Sequence, residues 1–249
     1  MQIEQNRPLT ADIFQLVLTG DFRYKEVQPG QFVNVLIGSG KAHPLRRPLS
    51  IAACDPLLGR LWLVYRVVGA GTAWLSKQRA GAELDVLGPL GRGFPESDTA
   101  GPVLVVGGGV GIPPLYQLVR ELPMDARDVD IVLGFKDEGD AFWVEQFKQW
   151  GTVTVCTEDG SLGEKGYVTD ILPPGRQWAV LYACGPRPML KALKAHFEGQ
   201  KIAGYISLEE RMACGIGACL GCVCESAGES APKRVCKDGP VFAWEEVVL

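Results

Sequence analysis

The sequence predicts a multi-domain protein: an N-terminal antiparallel β-barrel, a doubly wound parallel α/β half, and a small C-terminal subdomain built on a cysteine loop. Three observations carry this. Short β-rich runs fill the first hundred residues without a long helical period. From residue 102 strand and helix patterns alternate. Five of the eight cysteines fall within the last 36 residues. The expected divisions are 1–98, 99–204 and 205–249.

The barrel rests on "DIFQLVLTG" (12–20), "QFVNVLI" (31–37), "GRLWLVYRVV" (59–68) and "AELDVLG" (82–88). Each is short, rich in Val, Leu, Ile and aromatics, and bounded by Gly or Pro, as strands are. Several such strands at this spacing close into a barrel or sandwich. One helix is expected at "GTAWLSKQR" (71–79).

The α/β half opens with "PVLVVGGG" (102–109), a buried-strand run. A helix is expected at 112–122, a strand at 128–135, a helix at 141–150 and a strand at 152–158. A short helix at "VTDILP" (168–173), a strand at 178–185 and a helix at 188–198 complete it. Strand–helix alternation of this kind produces a parallel sheet with crossover helices. Gly107, Gly108, Gly109 and Gly111 lie between strand and helix, the context a dinucleotide fingerprint requires. In the loop "CTEDGSLGEKG" (156–166), Glu158 or Asp159 can accept ribose hydroxyls, which favours NAD over NADP.

The tail holds Cys214-x4-Cys219-x2-Cys222, then Cys236. Zinc sites prefer well-separated C-x2-C pairs, whereas this spacing is that of plant-type [2Fe–2S] centres. Gly215, Gly217 and Gly221 let the loop curl and aim N–H groups at sulfur. Cys224 is either a spare thiol or a substitute for Cys222; Cys222 preserves the spacing.

Composition narrows the function. Net charge is −4, which supplies no basic field for nucleic acid. The most apolar run (103–119) is broken by glycines and prolines and does not read as a membrane span. "MQIEQNRPLT" lacks the pattern of a secretory signal. A cytoplasmic location is expected. His43 and His196 are the only histidines and read as structural and surface residues.

"RRPLSIA" (46–52) and "YRVVGAGTAWL" (65–75) add phosphate-binding character to the β half. R-x-x-S followed by G-x-G-T resembles the ferredoxin–NADP⁺ reductase superfamily, whose barrel holds FAD. The resemblance implies that Arg47, Pro48, Leu49 and Ser50 line the flavin and its phosphates. It puts Val64, Tyr65 and Arg66 on the next wall and Gly71 and Thr72 at the pyrophosphate. The superfamily has an aromatic residue where Leu49 stands. Gly109, Gly111 and Pro114 match its G-x-G-x-x-P. "YACGPRPML" (182–190) supplies its C-G-P turn, which implies that Cys184 lies near the nicotinamide.

"SLEERMACGIGACLGCVC" (207–224) resembles the cluster segment of the dihydroorotate dehydrogenase B electron-transfer family. That resemblance implies a [2Fe–2S] cluster on Cys214, Cys219, Cys222 and Cys236. It also implies electron flow from an FMN-containing catalytic subunit through cluster and FAD to NAD⁺ in pyrimidine synthesis, in a two-plus-two heterotetramer. The nearest alternative is the small FAD/[2Fe–2S] subunit of a ferredoxin-dependent NAD(P)⁺ oxidoreductase or sulfide dehydrogenase. An alternative of another class is a zinc-stabilised nucleotide-binding interaction module.

Overall fold

The computed structural model describes residues 1–95, 101–122, 128–228 and 231–249. The expected division at 98–99 lies outside the described residues.

The first sheet has six strands: β1 (Gln2–Pro8), β2 (Ile13–Thr19), β3 (Phe32–Val35), β4 (Arg47–Asp55), β5 (Arg60–Arg66) and β6 (Val86–Leu90). All pairs are antiparallel, in the order β1-β2-β5-β4-β3-β6. Residues 81–84, just before β6, fold back on β1. The Ile3 N–H donates to the Ala82 carbonyl and the Leu84 N–H to the Met1 carbonyl, both at 2.8 Å. The sheet thereby closes on itself, which removes its edges. Leu16, Leu18, Val33, Val35, Leu63 and Tyr65 fill the interior. Between β5 and β6 the chain forms α1 (Ala70–Leu75).

The second sheet contains β7 (Val103–Gly108), β8 (Val129–Phe135), β9 (Thr152–Thr157), β10 (Glu164–Lys165), β11 (Val180–Cys184), β12 (Ala203–Ser207) and β15 (Val241–Ala243). The order is β10-β9-β8-β7-β11-β12-β15, parallel except for β15. Helices α2 (Pro114–Glu121), α3 (Val144–Phe147) and α4 (Arg187–His196) connect its strands. Strand order reverses between β7 and β11, so a crevice opens at their C-terminal ends, where such sheets take ligands. β13 (Val223–Cys224) and β14 (Lys233–Arg234) form a small ribbon in the tail. The expected edge at 204–205 falls inside β12, and β15 from the tail joins the same sheet.

Three helical expectations are corrected. Residues 168–173 form turns rather than a helix. The Asp170 carboxylate accepts from the Tyr167 N–H at 2.8 Å, and a side chain bonded to nearby backbone competes with a helix. Pro173 ends the segment and disfavours the helical region for Leu172 before it. Helix α1 stops at Leu75, where the Ser76 hydroxyl bonds back to the Ala73 carbonyl at 3.0 Å. Helix α3 is only four residues long because Trp143 is left-handed, with φ +59°. Its indole N–H reaches Gln15 of β2 at 3.3 Å, so docking on the barrel overrides the local pattern.

Candidate functional site

At the crevice the two motif turns lie back to back. A Cβ on Gly111 would stand 2.6 Å from the Cys184 carbonyl carbon and from the Gly185 nitrogen. A Cβ on Gly108 would strike Met189 Sδ at 2.6 Å. Gly109 is left-handed, with φ +52°, and faces open space. Pro114 is the first residue of α2, where a missing N–H costs nothing. Gly109, Gly111 and Pro114 therefore frame one turn against Cys184.

Cys184 is buried, and burial followed by the nearby Glu209 charge pushes its thiol well up. Ser207 hydrogen-bonds the sulfur. A thiol so held stays protonated at neutral pH; it shapes the site and cannot act as a thiolate. Glu209 was missed in the sequence. It keeps solvent access, yet protein surrounds it densely enough to raise its carboxyl pKa, with Arg66 opposing. Exposure together with desolvation describes a cleft wall. No sequence motif marks it, since a Glu after a strand is usually a surface residue.

On the barrel, Arg47 of β4 lies against the start of α1. A Cβ on Gly71 would be 2.7 Å from Arg47 Nε, so the guanidinium lies directly over this glycine and a larger residue would displace it. Thr72 is buried, and its hydroxyl accepts the Val68 and Gly69 N–H groups at 3.0 and 3.3 Å. It builds the turn. Pro48 and Ser50 are half-buried. Leu49 and Tyr65 turn into the barrel core. Tyr65 stacks on Phe14 and donates to Asn6 Oδ1 at 3.1 Å. Their side chains are inward, so the expectation that these side chains line a flavin is corrected: the alternation of the strands buries them in the barrel core. Val64 packs on the outer side with the α/β core. Arg66 pairs with Asp12 of the barrel at 3.3 Å and with Asp140 of the α/β half at 3.7 Å. It spans the seam and is not a free cation. This donor set fits a flavin dinucleotide: a guanidinium beside a glycine-built turn, next to two half-buried strand residues.

In the ribose loop, Asp159 Oδ1 already accepts the Ser161 N–H and hydroxyl at 3.0 and 2.7 Å. The Ser161 hydroxyl in turn accepts the Glu138 N–H. The Glu158 carboxylate makes no side-chain hydrogen bond among the described residues, so of the two expected acceptors it is the freer.

The cysteine loop curls as its glycines require, with Gly215 at φ +69° and Gly217 at φ +83°. Ala218 and Cys219 N–H groups donate to Cys214 Sγ at 3.3 and 3.4 Å. Gly217 N–H donates to Cys236 Sγ at 3.1 Å, and Cys236 N–H to Cys222 Sγ at 3.4 Å. The thiols contact two by two, Cys214 with Cys219 and Cys222 with Cys236. Among the described residues no three metal-ligating side chains converge on a single-ion position. Backbone N–H groups of Ile216 and Cys219 draw the Cys214 thiol down to about 6. Burial, then Cys222, pushes Cys236 up to about 12. Cys224 is buried and its thiol raised, chiefly by burial. Three sulfurs on one Gly-rich loop and a fourth, Cys236, just after β14, met by backbone N–H groups, fit an iron–sulfur cluster. Arg234 braces the loop: it donates to the Gly217 carbonyl at 3.3 Å and forms a fork with Asp238 at 2.9 Å.

No helix among the described residues is long and apolar enough to cross a membrane. His196 ends α4 and is exposed, and His43 is half-buried.

Comparison with known proteins matches these regions. Residues 209–248 match the iron–sulfur cluster binding domain of dihydroorotate dehydrogenase B, and 105–195 match an oxidoreductase NAD-binding domain. The chain is 46% identical over 254 residues to the dihydroorotate dehydrogenase B (NAD⁺) electron transfer subunit of Shouchella clausii, covering 100% of this chain and 97% of that one. The same subunit of Fusobacterium nucleatum is 42% identical over 257 residues, covering 99% and 97%. Among solved structures, an NADH-dependent reduced ferredoxin–NADP oxidoreductase superposes with a TM-score of 0.89 at 32% identity, over 99% of this chain and 89% of that one. The ferredoxin reductase of carbazole 1,9a-dioxygenase shares the fold at TM-score 0.68 and 22% identity, over 82% and 67%. With identity this high over essentially the full length, the chain belongs to the dihydroorotate dehydrogenase B (NAD⁺) electron transfer subunit family.

Proposed function

We propose that this chain carries electrons from a dihydroorotate-oxidising catalytic partner to NAD⁺, within pyrimidine synthesis. When bound, an iron–sulfur cluster supplies one-electron steps, nicotinamide takes a hydride, and a flavin joins the two. The residues divide that work. Cys214, Cys219, Cys222 and Cys236 hold the cluster, with loop N–H groups offsetting charge on sulfur. Arg47 and the turn at Gly71–Thr72 take the FAD phosphates, while Pro48, Ser50 and the main chain at Leu49 and Val64–Arg66 lie along the ring. Gly109, Gly111 and Pro114 seat the dinucleotide, Cys184 packs at the nicotinamide, and Glu158 accepts ribose hydroxyls.

The observation that carries this reading is continuity. The cysteine loop touches β3, β3 pairs with β4, and β4 is fixed to α2. There Gln117 accepts the Cys54 N–H at 3.0 Å. This chain of bonds links the cysteine loop, the flavin-motif strand and the helix that follows the dinucleotide turn.

The partner is an FMN-containing subunit in a two-plus-two assembly in the cytoplasm. Cys219 is exposed, and Ile216, Leu220 and Val223 expose apolar side chains around it, which suits a docking face. The ferredoxin–NADP relative keeps the same fold, but the full-length likeness to the dihydroorotate family is higher. The test is co-expression with an FMN-containing dihydroorotate-oxidising subunit and assay of dihydroorotate-dependent NAD⁺ reduction. Activity is expected only in the complex. A stable, cofactor-loaded complex that leaves NAD⁺ unreduced contradicts the assignment.

A further inference from the structure

One buried side chain sits between the cysteine loop and the flavin-motif strand. Strand β3 alternates as strands do: Val33 and Val35 enter the barrel core, while Phe32 joins the outer cluster that contains Cys222 and Cys236. Asn34 shares the outer face with Phe32 and is 1% exposed. Its Nδ2 donates to the Cys214 carbonyl at 3.4 Å. Its Oδ1 is buried and has no partner among the described residues. The orientation is fixed by chemistry, because a reversed amide would set two acceptors against each other.

Both neighbours are built around this residue. A Cβ on Gly215 would fall 1.8 Å from Asn34 Nδ2, so the loop carries glycine there for Asn34 as well as for its positive φ. On the other side Asn34 is registered opposite Pro48. Its carbonyl accepts from Arg46 Nη1 at 3.2 Å, and Arg46 is held by a fork to Asp85 at 2.9 Å. The backbone of Asn34 is therefore pinned, and the side chain has little freedom to seek another partner. A buried amide oxygen left unbonded costs about 1–3 kcal/mol. Such groups call for an explanation, and a bound ligand that donates to the oxygen is one.

We propose that Asn34 is a positioning residue shared by the two redox sites. Nδ2 holds the first cluster-ligand segment, and Oδ1 accepts a hydrogen bond from a ring N–H of the flavin carried on β4. This rests on the flavin and cluster reading given above.

The test uses the full chain reconstituted with FAD and cluster, comparing wild type, Asn34→Leu and Asn34→Asp. The readouts are the FAD dissociation constant and the EPR spectrum of the reduced cluster. Asn34→Leu removes both atoms, so FAD is expected to bind about tenfold more weakly, the size of one lost hydrogen bond, with altered cluster g-values. Asn34→Asp keeps an acceptor and loses the donor, so FAD affinity stays within about threefold while the g-values still move. Wild-type FAD affinity and an unchanged spectrum in Asn34→Leu overturn the proposal while leaving the cofactor reading intact. If Asn34→Leu does not fold, Asn34→Asp decides: an unchanged cluster spectrum overturns it. A wild-type chain that takes up neither cofactor overturns the underlying reading instead.

Discussion

Gly111 has room for a hydrogen and nothing more. Backbone atoms of Cys184 and Gly185 stand 2.6 Å from where a Cβ would be, and backbone cannot move aside as a flexible side chain can. Gly111→Ala is expected to destabilise the chain by about 1–3 kcal/mol, as overpacking does, seen as a lower denaturant midpoint with unchanged slope; an unchanged midpoint would show that the turns are not in contact. This residue was legible because a glycine between strand and helix is itself the signal. Leu49 and Tyr65 were legible in principle as well, since period-two alternation along β4 and β5 turns them inward, away from Pro48, Ser50 and Val64. Asn34 and Glu209 were not. Each acquires meaning only from what the fold brings beside it, Cys214 from 180 positions away in one case and Cys184 and Arg66 in the other.

At the scale of elements, the parallel strands read clearly because both faces are buried and their sequences are continuous apolar runs. β1 left little trace: of its seven residues only Ile3 is buried. β4 was read as a phosphate motif because Pro48 and Arg47 interrupt its pattern. The helices α1 and α3 were overestimated where a serine back-bond and a docked tryptophan cut them short. The cysteine loop was the most legible element, since its spacing is its chemistry. The structure also separates Cys222 from Cys224. Cys222 Sγ accepts a backbone N–H and meets Cys236, while Cys224 sits in β13 opposite Lys233. Cys222→Ser is expected to abolish the cluster EPR signal and Cys224→Ser to retain it. The reverse pattern would assign the ligand to Cys224.

Across the whole molecule, function depends on how the pieces are joined. Gln117 to Cys54, Trp143 to Gln15, and the Tyr182 hydroxyl to the Pro95 carbonyl at 3.2 Å tie the α/β half to the barrel. Arg66 bridges Asp12 and Asp140 across the same seam. No sequence pattern announces these ties, because each joins residues far apart in the chain, through side chains common on any surface. They hold the α/β crevice and the barrel in fixed relation, and the Asn34 bond to the Cys214 carbonyl fastens the cysteine loop to the same barrel. The central claim is that one chain carries both an iron–sulfur cluster and a flavin along that seam. Its most direct test is iron, acid-labile sulfide and flavin analysis of anaerobically purified protein. The account predicts two irons, two sulfides and one FAD per chain, the content of a [2Fe–2S] flavoprotein. Zinc in place of iron, or no releasable flavin, would contradict it.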